Sequence, residues 1–294
     1  MKTLTILTPT FNRKKELLYL YNSLIKQTSL DFVWIIIDDG SNDDTISMIK
    51  KMRTKKFDIE YVYKDNGGKH TALNVGFSML NTELVGIVDS DDSLTPDAVE
   101  TIVYYWKKYK CNDKISGLVF KKSHNNGKDI TEKFKKKEFV DNYNKYIINN
   151  KIKGDKFEIF KSEIISKYRY PEFKGEKFCG EGVLWSKISR NYDMVFVDKS
   201  IYLCEYLNGG LTNSGRKMRL MNPLGGMFHS SEYLDTQYSV KVRIKNAILY
   251  LIYGFFAKKN IIKIIKNSKN KIILILCLPI SYVIYKNWRK KYFS

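Results

Sequence analysis

Residues 32–37 read Phe-Val-Trp-Ile-Ile-Ile and give way at once to Asp38-Asp39-Gly40-Ser41. A strand with one wet face alternates polar and apolar side chains. An unbroken apolar run instead predicts a strand covered on both faces, as in a parallel sheet. The neighbouring segments agree with this. Residues 3–7 read as a strand, and 13–27 as a helix with apolar positions at 17, 18, 20, 21, 24 and 25. A helix over 45–52 follows, with Asp43 or Asp44 available to cap it. Strands at 59–63 and 84–88 then alternate with helices at 71–80 and 97–109. Alternation at this spacing dictates an α/β chain, a mostly parallel sheet flanked by helices.

The pattern loosens after a strand at 115–120. Residues 121–158, rich in Lys and Asn, predict loops and insertions. Order returns at 160–168, a helix over 181–191 carries Trp185, and 195–197 and 201–205 read as strands. Asn208-Gly209-Gly210 then opens a segment predicted to be a mobile loop holding Arg216, Lys217 and Arg219. Four isolated cysteines, at 111, 179, 204 and 277, form no C-x-x-C pair, which predicts a reducing compartment without a zinc site. The first twelve residues are too short and too rich in Thr and Asn for a signal peptide's apolar region.

The end of the chain differs in charge. Its last 59 residues hold thirteen Lys and Arg and no Asp or Glu, out of a formal net charge of +20 for the whole. Three apolar stretches, 240–257, 260–265 and 272–285, are punctuated by lysines and followed by Trp288, Tyr292 and Phe293. A spanning helix needs about 20 apolar residues, so the shorter run at 272–285, which contains Pro279, predicts a helix lying in a membrane interface. A solvated helical surface normally mixes charge signs. Anionic headgroups attract such segments by about 1 kcal/mol per Lys or Arg. Phosphate of nucleic acid would also be attracted, but the aliphatic richness at 261–265 and 272–276 fits lipid. The expected organisation is a domain over 1–210 (halves 1–110 and 111–210), a connecting loop and helix over 211–235, and a basic amphipathic helical tail over 236–294.

Ligands of an open parallel sheet bind at the carboxyl ends of its strands. Four polar groups fall there: Pro9-Thr10-Phe11-Asn12, Asp38-Asp39, Asn66-Gly67-Gly68-Lys69 and Asp89-Ser90-Asp91-Asp92. Carboxylates this crowded repel one another unless a cation joins them, and an all-oxygen set suits Mg²⁺ or Mn²⁺, which also bridge phosphate oxygens. Lys69, after two glycines, would meet a phosphate together with the backbone. The P-loop pattern is missing, as is a G-x-G-x-x-G after the first strand. The same aspartates would also serve as turn formers or helix caps.

In order and spacing, these four groups, with Thr8, Ile37, Ala72, Asn74 and Gly76, resemble family 2 glycosyltransferases of the GT-A (Rossmann-like) fold. The resemblance covers residues 3–110 well and 160–206 loosely. It implies that Pro9, Thr10 and Phe11, with Asn12 beside them and Asp38 or Asp39, hold the nucleotide base. It further implies that Asp89 and Asp91 or Asp92 serve the ribose and a metal on the diphosphate. The family's base, usually the Asp of an E-D-x-x-x-W-like segment, corresponds to Glu181 in Gly180-Glu181-Gly182-Val183-Leu184-Trp185; Glu176 is a nearby alternative. A single base implies inversion, and the missing Q-x-x-R-W segment implies one sugar per encounter.

The expected activity is therefore transfer of a sugar from a nucleotide-diphospho-sugar, with UDP the expected nucleotide. Arg216 would close over the diphosphate, and Mn²⁺ or Mg²⁺ would be the cofactor. A saccharide acceptor, expected on a lipid carrier at the cytoplasmic face of a membrane in cell-surface polysaccharide assembly, completes the reading; nucleic acid is not an expected partner. A sugar nucleotidyltransferase would want a Gly-rich, Arg-containing loop after the first strand, which Pro9–Asn12 is not. A non-catalytic basic protein that binds nucleic acid or membrane is the other alternative.

Overall fold

A computed structural model describes residues 2–52, 54–204, 211–268 and 270–293, the side chains of 211–214 excepted. The chain divides into two compact units. One comprises Met1–Tyr143, Ile152–Arg169 and Ile188–Glu205; the other comprises Asn144–Lys151, Tyr170–Lys187 and Tyr206–Ser294. Asn208-Gly209-Gly210 lies outside the described residues.

The first unit carries the sheet. In chain order its elements begin with β1 (Leu4–Thr10), α1 (Lys14–Ile25), β2 (Phe32–Asp38), α2 (Thr45–Lys51), β3 (Ile59–Tyr63) and α3 (Lys69–Ser78). They continue with β4 (Leu84–Ile87), β5 (Ser93–Leu94), α4 (Ala98–Tyr109), β6 (Ile115–Ser123), β7 (Glu138–Asp141), β8 (Lys156–Lys161) and α5 (Ser162–Ile165). β9 (Asp193–Leu203) completes the unit. The strand order is β3-β2-β1-β4-β8-β6-β9-β5, with β7 on β9. As the apolar run of β2 dictates, each of its residues is buried, and Trp34, Phe32 and Ile36 belong to a core shared with Leu17, Leu20 and Leu24 of α1.

The sheet is mixed rather than mostly parallel. β3, β2, β1 and β4 run parallel, as does the pair β6 and β9. β8 enters antiparallel between β4 and β6, while β5 and β7 pair antiparallel with β9. The insertion-like region 121–158 supplies β7 and the start of β8, which the charged composition hides. The two short strands expected at 195–197 and 201–205 are one strand, β9, with its register against β6 shifting around Lys121.

The second unit is helical. It holds a π-helical turn at Asn144–Asn149, then α6 (Gly182–Ile188), α7 (Leu211–Met221), α8 (Pro223–Glu232), α9 (Val240–Phe256), α10 (Ile261–Asn267) and α11 (Lys271–Phe293). The expected loop bearing Arg216, Lys217 and Arg219 is α7, non-helical only at Gly215, and Pro223 starts α8 where its missing N–H costs nothing. α11 is longer than the apolar run predicts. It has 23 residues and keeps Pro279 inside, because packing of Leu274, Cys277 and Ser281 holds the helix together on both sides of the proline. It is the one helix among the described residues long and apolar enough to cross a membrane by length and composition.

Candidate active site

At the carboxyl ends of β1 and β2 the sequence builds a scaffold of loops before it builds a pocket. Thr10 and Asp38 are in register, and the Asp39 amide donates to the Thr10 carbonyl at 2.8 Å. Asp38 accepts the Ser41 amide (2.8 Å) on one oxygen and the Tyr61 hydroxyl (2.9 Å) on the other. Asp39 is a hub. Its carboxylate accepts the amides of Gly67 (3.0 Å) and Gly68 (2.7 Å), the Asn66 side chain (3.1 Å) and the Lys64 ammonium (2.7 Å). Asn12, at φ 51°, accepts the Asn42 amide and ties the two turns together.

Two glycines make the approach possible. Gly40 stands at φ +88°, and a Cβ there would lie 2.8 Å from the Asn66 amide nitrogen. Gly68, at φ +94°, turns the chain into α3. Pro9 and Thr10 are buried in β1, whereas Phe11 is 45% exposed and Tyr63, at the end of β3, is 53% exposed. Two ring faces thus stand at the strand ends, and one of them, Tyr63, belongs to no motif.

The turn after β4 holds the charge. One carboxylate oxygen each of Asp89, Asp91 and Asp92 lies within 4.8 Å of the others. Lys69, first residue of α3, places its ammonium 2.5 Å from an Asp89 oxygen. Beneath them lies Tyr202 of β9, fully buried. Its hydroxyl donates to Asp92 at 2.6 Å and accepts the Asp89 amide at 3.0 Å. Lys122 lies over the Tyr202 ring, its ammonium 3.7 Å from the centroid.

These surroundings split the three acids. Burial pushes the Asp92 carboxyl up to about 7, and the Asp89 charge pushes the same way. Asp91 is raised by burial and then by Asp89. For Asp89, whose side chain keeps about a third of its surface, burial works against ionisation, but the Lys69 and Lys122 ammonium groups outweigh it and hold the carboxyl low. A set of oxygens that resists full ionisation until positive charge arrives is the donor chemistry of a hard divalent cation, so the residues present fit Mg²⁺ or Mn²⁺.

The second unit carries Glu181 and Arg216. Glu181 immediately precedes α6, and its carbonyl accepts the Tyr170 hydroxyl at 3.2 Å. Glu176 is engaged elsewhere: its two oxygens accept the amides of Leu224 (2.7 Å) and Gly225 (2.8 Å), capping the N-terminus of α8. A Cβ on Gly180 would meet His229 Nδ1 at 2.7 Å, so the imidazole fills the space that a longer residue before Glu181 would take. Burial brings His229 down to about 4, and it is neutral near pH 7. The Arg216 guanidinium rests 4.4 Å from the Trp288 ring centroid.

The family model described as glycosyl transferase family 2 matches residues 5–169, which run from the second residue of β1 through α5 and include every strand-end group above. The chain belongs to glycosyl transferase family 2. Among curated relatives, this family 2 chain is 26% identical over 211 residues (69% of this chain, 62% of the relative) to the GalNAc(5)-diNAcBac-PP-undecaprenol beta-1,3-glucosyltransferase of Campylobacter jejuni. It is 36% identical over 113 residues (37% of this chain, 34% of the relative) to the poly(ribitol-phosphate) beta-N-acetylglucosaminyltransferase TarP of Staphylococcus aureus. The chain thus spans less than two thirds of either relative. Among solved structures, S. aureus TarS 1–349 in complex with UDP-GlcNAc matches at a TM-score of 0.66 and 20% identity, covering 96% of this chain and 80% of that one. The mannosyltransferase PcManGT from Pyrobaculum calidifontis, in complex with GDP-Man and Mn²⁺, matches at 0.56 and 13% identity, covering 98% and 82%. The fold is that of these GT-A-type structures.

Family motifs pointed to the front of the site and not to its support. Tyr202 and Lys122 come from β9 and β6, thirty or more residues beyond the last acidic motif, and nothing in Ile201–Leu203 or Lys121-Lys122 marks them. Lys64 had one signal available, a cation placed just after a strand whose neighbour ends in two acids. Glu158 of β8 is a further unmarked acid. Burial raises it to about 7, against the pull of a 2.6 Å hydrogen bond from Tyr143 and the charge of Lys122.

Proposed function

We propose that this family 2 chain is an inverting, metal-dependent transferase that moves one sugar from a UDP-sugar to a saccharide on a lipid carrier. The observation that carries the reading is the cluster of Asp89, Asp91 and Asp92 beside Lys69, at the sheet edge where Asp39 gathers the Asn66–Gly68 loop. Asp91 and Asp92 would hold the metal, with Asp89 toward the ribose and Lys69 toward the phosphates. A divalent cation bound there supplies charge stabilisation for the departing nucleoside diphosphate. Pro9 to Asn12 and Asp38–Asp39 frame the base, the two aspartates by fixing the loops and Phe11 by offering a ring face. Glu181 takes the proton from the acceptor hydroxyl as the anomeric carbon is attacked, which inverts it.

Support for the substrates comes from the relatives. The C. jejuni protein is named for a PP-undecaprenol acceptor, and TarS was solved with UDP-GlcNAc. We assign the basic helical unit to the cytoplasmic membrane surface as a peripheral anchor. Ile272, Leu276, Ile280 and Val283 of α11 are more than half exposed on the side away from Leu274, Cys277 and Ser281. Beyond Tyr285 the helix turns to Lys286, Arg289, Lys290 and Lys291. Its apolar part, the fourteen residues 272–285, rises about 21 Å, short of the roughly 30 Å hydrocarbon core. The test is a thermal-shift screen of UDP, GDP, CDP and TDP sugars with and without Mn²⁺, followed by transfer assays with Glu181→Gln. A metal-dependent shift with a UDP-sugar and a dead Gln variant that still binds donor are expected; an active Gln variant moves the base elsewhere.

A further inference from the structure

The second unit contains a cavity of about 560 Å³ that no step of the proposed reaction uses. Its floor is apolar: Ile248, Leu249 and Ile252 of α9 with Ile284 and Trp288 of α11. Its rim is cationic: Lys241 and Lys245 of α9, Lys151 after the π-helical turn, and Arg216 of α7, all exposed. Positions 241, 245, 248 and 252 fall one turn apart, so the spacing of α9 itself sets two ammonium groups above two isoleucines on one face. No carboxylate among the described residues forms an ion pair with any of these four cations, and the sequence offers no acid after Asp235 to do so.

Charged side chains over an apolar floor match one kind of guest, an anionic head on a hydrocarbon chain. An all-apolar guest would leave the four cations uncompensated, and a bare anion would leave the floor wet. The volume lies in the ordinary range of small-ligand sites, well below what a folded partner needs. We infer that this cavity binds the phosphate or diphosphate head and first chain segment of a lipid phosphate, the anchor of the acceptor. The lipid carrier is taken from the function proposed above; the cavity's chemistry does not depend on the donor assignment. Lys241, Lys245 and Lys151 bind the phosphate oxygens, and Ile244, Ile248 and Ile252 cover the chain.

The experiment is equilibrium binding of farnesyl diphosphate, a soluble isoprenyl diphosphate, to the full chain, followed by calorimetry and by Trp288 fluorescence. Saturable binding is expected, unchanged by saturating UDP, with inorganic diphosphate and farnesol each at least tenfold weaker. The double variant Lys241→Gln/Lys245→Gln weakens it by about tenfold or more. Ile244→Glu, at an exposed position, weakens it too, and both variants keep UDP-sugar binding. Displacement by UDP would put the ligand in the donor site and overturn the assignment. So would inorganic diphosphate binding as tightly, or unchanged affinity in the double variant. If the double variant loses only attachment to phosphatidylglycerol vesicles, the cations serve bulk lipid and the cavity assignment falls. Intact farnesyl diphosphate binding in a chain with no sugar transfer would instead break the proposed reaction and leave the cavity standing.

Discussion

The two units handle charge in opposite ways. In the sheet unit, three acids of the site have a named counterpart: Asp39 has Lys64 and two amides, Asp89 has Lys69, and Asp92 has Tyr202. In the helical unit, Lys241 and Lys245 of α9 have no acid in their own segment to meet. Paired charges inside a protein fix geometry, because leaving one partner alone is costly. Unpaired charges on a surface carry no such internal constraint and are available to an external anion. On the functions proposed above, the difference would separate a preorganised site for a small charged donor from a surface suited to an anionic amphiphile.

The sharpest break of that comparison is at Asp91. Asp91→Ala removes a carboxylate that lies within 4.8 Å of two others. We expect turnover to fall by about a thousandfold or more, since the group would hold the metal that steadies the leaving diphosphate. The Mn²⁺-dependent rise in melting temperature with UDP should vanish as well. Near-normal turnover would move the metal away from this turn.

On the helical side, Leu276→Glu with Ile280→Glu alters side chains 74% and 52% exposed. Stability should change by under about 1 kcal/mol, as for other surface positions. Partitioning onto anionic vesicles should fall by about tenfold or more, because the apolar face now carries charge. Unchanged flotation would show that the lysines alone attach the chain.

These two regions were unequally legible in the sequence. β1 to α4 could be read because each apolar run ends in a polar motif whose spacing is dictated by the strand–turn–helix unit. The role of Asp38 and Asp39 could not be read fully. They sit at a strand's carboxyl end as expected, yet their oxygens are spent on Ser41, Tyr61, Gly67 and Gly68. Tyr202 and Lys122 were invisible because a pairing between β6 and β9 is a long-range fact. α7 was misread as a loop because glycine and charge predominate locally, while Leu220, 2% exposed, packs with Ile252 and Tyr253 of α9 and holds the helix in place. Composition alone made the tail's charge legible; its cavity required knowing which faces of α9 and α11 meet.

A smaller effect should appear with pH. Asp92 stands at about 7 in the folded chain, well above an unfolded aspartate near 3.8. Between those values the folded state binds more protons than the unfolded one, so stability falls as pH rises through this window and the gain is gone above about 7. For the metal-free protein a loss on the order of 1 kcal/mol from pH 5 to 8 is expected in urea titrations. Asp92→Asn should flatten the slope. Mn²⁺ should reverse it, because a cation and a proton compete for the same oxygens; a slope indifferent to both would dissociate Asp92 from the ion.

The mildest test is Tyr202→Phe, which keeps the ring under Lys122 and deletes the hydroxyl that joins Asp89 to Asp92. A half-buried amide and a buried carboxylate oxygen each lose a partner, which costs about 1–3 kcal/mol of stability. The hydroxyl also favours the ionised form of Asp92. Without it that carboxyl should titrate higher and hold metal a few-fold more weakly at neutral pH, with the deficit closing as pH rises. Donor affinity measured without metal should stay the same. If Tyr202→Phe instead lowers affinity equally at every pH, the tyrosine acts by shaping the turn and not by setting its charge. The contrast with the helical unit would then rest on the ammonium groups of Lys64, Lys69 and Lys122.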